Sequence, residues 1–381
     1  TGSRADRAAT QVHDIGLEVI KNETGETGFK VLVGGGLGRT PIIGSVIREF
    51  LPAKHLLTYL DAILRVYNRY GRRDNKYKAR IKILVKAWTP EVFAEKVEAE
   101  WQHVKDGPAT LTDAEIARAR SFFSHPAYED QLPDESRTTE LLANKAFEKW
   151  RDRNVRPHKV SGYCAVFLSL KPTGVAPGDV TDGQLEAIAE LADRFSFGEA
   201  RVTHQQNVVL ADVRVQDLPQ LWQEARAHGF ATPNIGTLTD MICCPGGDFC
   251  SLANAKSIPI AEAIQRRFDD MDYLYDLGDL SLNISGCMNA CGHHHVGNIG
   301  ILGVDKKGQE FYQIQLGGSA GTDAALGGVL GPSFLANEVP DVVEKILQTY
   351  VELRIEGERF LDTQRRVGLE PFKESVYAKA A

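Results

Sequence analysis

The sequence predicts an α+β fold in which two related α/β repeats are joined by a smaller β-α-β-β-α module. Three observations carry this. First, the 381 residues exceed what one ordinary core accommodates and suit two or three domains. Second, FKVLVGGG at 29–36 and FYQIQLGG at 311–318 share one form, an apolar strand running into glycines. RVYNRYG at 65–71 and VELRIEG at 351–357 likewise share a helical, glycine-ended form, so the chain reads as a duplication. Third, residues 159–233 alternate strand-like runs with two amphipathic helical stretches.

The first repeat is expected over residues 1–101. Residues 4–20 read as helical. Residues 29–33 are a short apolar strand that enters Gly34-Gly35-Gly36-Leu37-Gly38-Arg39. That loop fails the dinucleotide fingerprint, because Arg39 holds the last glycine position, and it lacks the Lys-Ser/Thr of a phosphate loop. It is either a backbone turn against a ligand or a plain loop. Residues 55–70 carry helical apolar spacing through Leu56, Leu57, Leu60, Ile63, Leu64 and Tyr67. Thr89-Pro90-Glu91 starts another helix, with Thr89 as the cap.

Residues 102–158 are polar and proline-containing, and read as a helical linker with helices over 114–122 and 138–153. In the module at 159–233, strands are expected over 160–170, 200–204 and 208–213. A helix is expected over 182–195, with Leu185, Ile188, Leu191 and Ala192 on one face and Thr181 or Asp182 as its cap. A second helix over 218–228 ends at Gly229. This order resembles a ferredoxin-like split β-α-β unit. Residues 234–381 form the second repeat.

Composition narrows the class. Hydrophobic content of 43% and charged content of 25% belong to a globular chain and exclude disorder. The longest apolar run, 163–170, is far short of the roughly 18 residues of a membrane helix. The first residues have no apolar signal core, so a cytoplasmic location is expected. The net charge of −7 hides a strong asymmetry. Residues 65–86 hold nine basic and one acidic side chain, so this segment is +8 and the remainder −15. Such a segment suits an anionic partner: a polycarboxylate cofactor, a small oxyanion, or RNA stacked on Tyr67, Tyr70 and Tyr77. A solvated helix face is the alternative.

Five of the six cysteines lie between 243 and 291, and only Cys164 is outside. Cys244 and Cys250 enclose five residues, and Cys287 and Cys291 enclose three. These spacings fit neither structural zinc pairs nor the bacterial ferredoxin run. Two separated pairs still supply the four thiolates that a 4Fe-4S cube requires; buried structural cysteines are the alternative. Gly246, Gly247, Gly286 and Gly292 let backbone amides approach the sulfurs. Ser-Leu-Ala-Asn-Ala after Cys250 reads as a helix start, whose N-terminus would stabilise the thiolate. The triplet His293-His294-His295 offers ligands, proton donors or core packing, and packing is the favoured expectation.

CPGGDFC at 244–250 together with SGCMNACG at 285–292 resembles the signature of the siroheme-dependent sulfite and nitrite reductases. The match extends to VLVGGGLGR at 31–39, YGRR with KARIK at 70–82, THQQN at 203–207 and RRVG with PF at 365–372. The resemblance implies duplicated siroheme reductase repeats joined by a ferredoxin-like half-module. It implies that Cys244, Cys250, Cys287 and Cys291 bind a 4Fe-4S cluster, and that Cys291 also bridges to the siroheme iron at the catalytic centre. By position in the motifs, Arg72, Arg73, Lys76 and Arg80 are assigned to siroheme carboxylates, and Asn289, Gln206 and Asn207 to siroheme contacts. Cys243 has no role in the pattern.

The implied reaction is the six-electron reduction of sulfite to sulfide, with nitrite to ammonia as the alternative. The implied donor is a separate ferredoxin or NADPH-flavoprotein, with no nucleic acid or membrane partner. The family's substrate-holding Arg and Lys residues come mainly from an N-terminal half that has no counterpart here. An incomplete, poorly active fragment is therefore expected. A non-catalytic iron-sulfur carrier and an RNA-binding module on residues 65–86 are the competing readings.

Overall fold

A computed structural model describes residues 1–3, 5–129 and 144–378. The chain forms two compact units: Thr1–His125 with Ser319–Leu326, and Pro126–Gly318 with Gly327–Ala381.

In the first unit, β1 (Ile15–Lys21), β2 (Thr27–Val33) and β3 (Ser45–Pro52) form an antiparallel sheet in that order. The helix expected over 4–20 is not there. Residues Thr10–Val12 make one 3-10 turn, and β1 pairs with β2 from Ile15↔Val33 to Lys21↔Thr27; Arg4 lies outside the described residues. Ile15, Leu17 and Val19 alternate with period two, and the β1–β2 turn is closed by Asn22, whose Oδ1 accepts from the Thr24 and Glu26 amides at 3.1 and 2.9 Å. Strand pairing across that turn outweighs the helical spacing.

The helices α1 (Leu56–Tyr70), α2 (Ile81–Trp88), α3 (Pro90–Val104) and α4 (Asp113–Arg120) follow. The face of α1 differs from the expected one. Tyr59, Ala62, Ile63 and Val66 are buried, while Leu57 and Leu64 are exposed. The Trp101 indole on α3 sets this rotation by donating to Thr58 Oγ1 at 3.0 Å inside the core. Pro90 opens α3 as expected, but Thr89 has φ 80 and makes no side-chain bond to the helix backbone.

The second unit begins with α5 (Lys145–Asn154); the part of the expected 138–153 helix before Asn144 lies outside the described residues. Phe147 and Trp150 on α5 are fully buried in the half-module core, so this end of the expected linker packs into that module. The module continues with β4 (Val155–Pro157), β5 (Tyr163–Leu168), α6 (Asp182–Phe195), β6 (Ala200–Val202), β7 (Val208–Arg214) and α7 (Leu218–Ala227), with sheet order β4-β5-β7-β6. The α6 start is a capping box: Thr181 Oγ1 accepts from the Gln184 amide at 3.2 Å, and the Gln184 side chain accepts from Thr181 N at 3.0 Å. The helix buries Ala187, Ile188, Leu191, Ala192 and Phe195, whereas Leu185 faces solvent.

The remainder holds β8 (Ile242–Cys243), α8 (Gly246–Phe249), α9 (Ile258–Arg267), α10 (Met271–Leu277), β9 (Leu282–Ser285), β10 (Ile299–Lys306), β11 (Gln309–Leu316), β12 (Gly328–Val329), α11 (Val339–Leu353), α12 (Phe360–Val367) and α13 (Glu370–Tyr377). Its sheet runs β12-β11-β10-β9-β8, with β8, β9 and β10 parallel and the other pairs antiparallel. Ile284, Ile301 and Ile314 from the sheet pack with Ile264 from α9 and with Val343, Ile346 and Leu347 from α11.

The duplication is visible in the backbone bonds. Gly34 N donates to Asp14 O at 3.0 Å, and Gly317 N to Asn298 O at 3.0 Å. Gly44 N donates to Gln11 O at 2.6 Å, and Gly327 N to His295 O at 2.8 Å. The glycine-rich loops close through Gly36↔Ile42 and Ser319↔Ala325 bridges, and each repeat then enters a 15-residue helix, α1 or α11, through one 3-10 turn.

Replacing Thr181 with Ala removes the Oγ1 that accepts from the Gln184 amide, while the backbone N–H at 181 stays available to the Gln184 side chain. The expected loss is about 1 kcal/mol, read as a lower denaturant midpoint by far-UV circular dichroism with an unchanged slope. An unchanged midpoint would contradict the box's role.

Candidate metal centre

Two loops build the site, each leaving the carboxyl end of a parallel strand. The first follows β8. Cys244 N donates to Ile284 O at 3.1 Å and so extends the β8–β9 ladder by one residue. Gly246, at φ 57, then turns the chain into the single helical turn α8. Cys250 closes that turn, its amide donating to Gly246 O at 2.9 Å. The helix expected to begin after Cys250 is absent, and α9 starts only at Ile258. Residues 251–256 fold back instead: Gly247 N donates to Ala255 O, and Asn254 N and Ala255 N both donate to Gly286 O, at 2.8 and 3.0 Å. Cys250 thus stands at a helix C-terminus, and no helix N-terminus supports its thiolate.

The second loop follows β9. Ser285 Oγ accepts from Gly292 N at 3.1 Å, and Asn283 Nδ2 donates to Gly292 O at 2.9 Å, so two strand side chains gather the loop beneath them. Ala290 and His293 adopt left-handed φ of 59 and 56 inside it. The loops meet at Gly286, whose N–H donates to Cys244 Sγ at 3.1 Å. A Cβ at Gly286 would stand 2.6 Å from Ala255 O and 2.8 Å from the Gly246 Cα.

All six cysteines are free thiols. Cys287 is buried, Cys244 and Cys250 are half-buried, and Cys291 is exposed. Partial burial pushes the Cys291 thiol up, and the neighbouring Cys244, Cys287 and Cys250 sulfurs push it further. Cys291 thus feels the other three sulfurs, and four grouped thiols form a donor set that a cationic centre would bind as thiolates. Among the described residues, no three His, Cys, Asp or Glu side chains are placed around a single ion. A four-iron cube holds its thiolates further apart than the roughly 2.3 Å shell of one zinc does. The donor chemistry and the amide-to-sulfur bond therefore fit an iron-sulfur cluster.

Cys243 is 4% exposed, and burial, then the Cys244 sulfur, hold it as a thiol. Cys164 is pushed up to about 12, first by burial. Asn289 is exposed on the Cys287–Cys291 loop. His294 is fully buried with neither ring nitrogen hydrogen-bonded, and burial, then the adjacent histidines, lowers it to about 3. It is a neutral packing residue. His295 Nδ1 lies 3.1 Å from Gln315 Oε1.

Gln206 and Asn207 face this unit's own framework. Gln206 Nε2 donates to Cys243 O and its Oε1 accepts from Cys243 N, both at 2.8 Å. Asn207 Oδ1 accepts from Leu170 N at 3.2 Å, and its Nδ2 donates to Asp240 Oδ1 at 2.9 Å. Asp240 pairs with Lys171 at 2.6 Å, both almost wholly buried, and burial pushes the Lys171 ammonium down against the pull of Asp240. This pair was not anticipated. Its sequence signal is a lysine directly after the apolar run at 163–170.

Arg72, Arg73, Lys76 and Arg80 lie in the first unit, between α1 and α2. Arg72 pairs with Asp74, and Arg80 with Asp14 at 2.7 Å. Arg73 stacks 4.5 Å over the Tyr67 ring and donates to Asn68 at 3.1 Å; Lys76 lies 5.2 Å from the Tyr77 ring. Lys82, also unanticipated, is buried and donates to Leu37 O and Thr40 O, both at 2.7 Å, pinning the glycine-rich loop. Burial, then Arg80, lowers its ammonium pKa.

The chain belongs to the nitrite and sulphite reductase family. The family's 4Fe-4S domain matches residues 1–105 and 236–381, and its ferredoxin-like half domain matches 161–228. The chain is 27% identical over 366 residues to the ferredoxin sulfite reductase 2 of Mycolicibacterium paratuberculosis, covering 92% of this chain and 58% of that one. It is 28% identical over 356 residues to the ferredoxin–nitrite reductase of Synechococcus elongatus, covering 91% and 61%. The solved NirA protein of Mycobacterium tuberculosis superposes with a TM-score of 0.72 at 25% identity, covering 96% of this chain and 62% of that one. The chain thus spans about three fifths of the length of these relatives. The family's cofactors are a 4Fe-4S cluster and siroheme. Among the described residues, no helix is long and apolar enough to cross a membrane.

Substituting Gly286 with Ala drives a methyl group into the junction of the two loops. The expected result is loss of most iron and acid-labile sulfide after reconstitution, with a stability cost of about 1–3 kcal/mol. Wild-type iron content in the variant would show that the loops need not touch.

Proposed function

We propose that the protein reduces sulfite to sulfide, with Cys244, Cys250, Cys287 and Cys291 holding a 4Fe-4S cluster and Cys291 joining it to siroheme. The observation that carries this reading is the grouping of four thiols at the ends of two adjacent parallel strands, with a backbone amide on one of the sulfurs. When bound, siroheme supplies the iron at which a small anion accepts electrons.

The rest follows from this chain's residues. Cys291 is the one exposed member of the set, which suits a sulfur shared between the cluster and a second group. The Gly286 amide stabilises negative charge on the Cys244 sulfur and so favours the reduced cluster. Arg73 and Lys76 have no carboxylate partner in the described structure, and with Arg72 and Arg80 they suit a polycarboxylate macrocycle better than a neutral ligand. Arg80 would exchange or share Asp14 on binding. Asn289 is exposed on the cysteine loop, and its place in the motif supports its assignment to siroheme.

Nitrite is the alternative substrate. Relatives named for each anion stand at 27% and 28% identity, so similarity does not choose between them. A ferredoxin donor is favoured over a flavoprotein, because the relatives of both kinds are named as ferredoxin enzymes. Six free thiols suit the reducing cytoplasm.

The full-length protein is expected to show the Soret and red absorption bands of siroheme and, with reduced ferredoxin, a higher kcat/KM for sulfite than for nitrite. Cys291→Ser should lose the coupled spectrum. Both cofactors retained at normal activity in that variant would sink Cys291 as the shared ligand, and a broad brown shoulder alone in the wild type would favour an electron carrier.

A further inference from the structure

Gln206 occupies the tip of the β6–β7 hairpin at φ 56, a conformation that few non-glycine residues hold without a reason. The tip is tied within itself. Thr203 N donates to Asn207 O at 2.8 Å, and Thr203 Oγ1 accepts from Asn207 N at 3.0 Å. The Gln206 side chain is thereby aimed away from its own hairpin, and its amide spends both atoms on the peptide groups of Cys243.

Cys243 ends β8, the edge strand of the five-stranded sheet. An edge strand presents unpaired N–H and C=O groups. The Gln206 amide pairs with both of them in the way one rung of a neighbouring strand would. The next residue is Cys244, whose amide bonds to β9 and whose sulfur receives the Gly286 N–H. The hairpin has a second, separate tie to the same stretch, because the Lys171 ammonium bridges Gln205 O and Asp240.

We propose that Gln206 is a positioning residue for the cluster: its amide is a detached ladder rung that fixes the peptide before Cys244 and hence the direction of that sulfur. This rests on the reading of Cys244 as a cluster ligand. Methionine fills the same space without hydrogen bonds. Glutamate keeps the acceptor but sets an oxygen against Cys243 O.

The test uses the full-length holoenzyme. Gln206→Met and Gln206→Glu are compared with Val202→Ser, an exposed position on the same hairpin. Iron and sulfide content, the rate of iron release to excess chelator, and near-UV circular dichroism are read for each. Both Gln206 variants are expected to fold like the wild type and release iron about 10- to 100-fold faster, the usual cost of losing a residue that orients a metal ligand, while Val202→Ser does not. Wild-type release from folded Gln206→Met overturns the proposal. So does equal acceleration in Val202→Ser, or loss of folding in both Gln206 variants, since either makes the effect general. Cys244→Ala in the same assay tests the parent reading: undiminished iron there removes Cys244 from the ligand set, whatever Gln206 does.

Discussion

One residue joins the two halves of the cysteine site. The Gly286 N–H points at Cys244 Sγ, and its C=O receives the Asn254 and Ala255 amides from the far side of the first loop. All three bonds require the strands beneath to hold their parallel register, Cys243 beside Ile284, because a slip would carry the loops past each other. They also require position 286 to have no side chain. The loop around Cys287, the fold-back after Cys250 and the placement of the first sulfur all depend on this contact. It carries electrostatic weight as well: an amide dipole on a thiolate favours the more negative state of whatever the thiolates bind.

The two repeats show how little of the fold that chemistry occupies. Ala9 and His293 adopt the same left-handed φ, 48 and 56, before matching 3-10 turns. In the second repeat the loop before that turn carries Cys287 and Cys291. In the first repeat Asp6 stands in the corresponding stretch and accepts from the Ala8 and Thr10 amides at 2.9 and 2.7 Å. A carboxylate gathers one loop, while Ser285 and Asn283 gather the other. The scaffold persists without thiols, so function lies in residues set on the fold.

Much of the layout was legible because its signals are local. The half-module's order and the extent of α6 followed from spacing and from the Thr181 cap, which act within a turn or two of chain. Signals failed where a distant partner decided the outcome. From Ile15 onward the 4–20 stretch forms β1, because β2 is available to pair with it. The helical spacing of α1 was sound, yet the Thr58–Trp101 bond chose which side went inward and left Leu57 and Leu64 in solvent. The helix start read after Cys250 lost to the pull of Gly286 O.

The sequence by itself determined the chemistry on offer: four thiols at 244, 250, 287 and 291, the +8 segment, and the glycines that permit close backbone approach. Residue type and spacing are properties of the chain, and donor character travels with them. Only the tertiary structure decided how those residues are held. It spent the Gln206 amide on Cys243, buried Lys171 against Asp240, committed Lys82 to the carbonyls of the glycine-rich loop, and left Cys291 as the exposed sulfur of its set. The first three are pairings between residues far apart in the chain, settled when burial favours partners for the polar groups it takes from water.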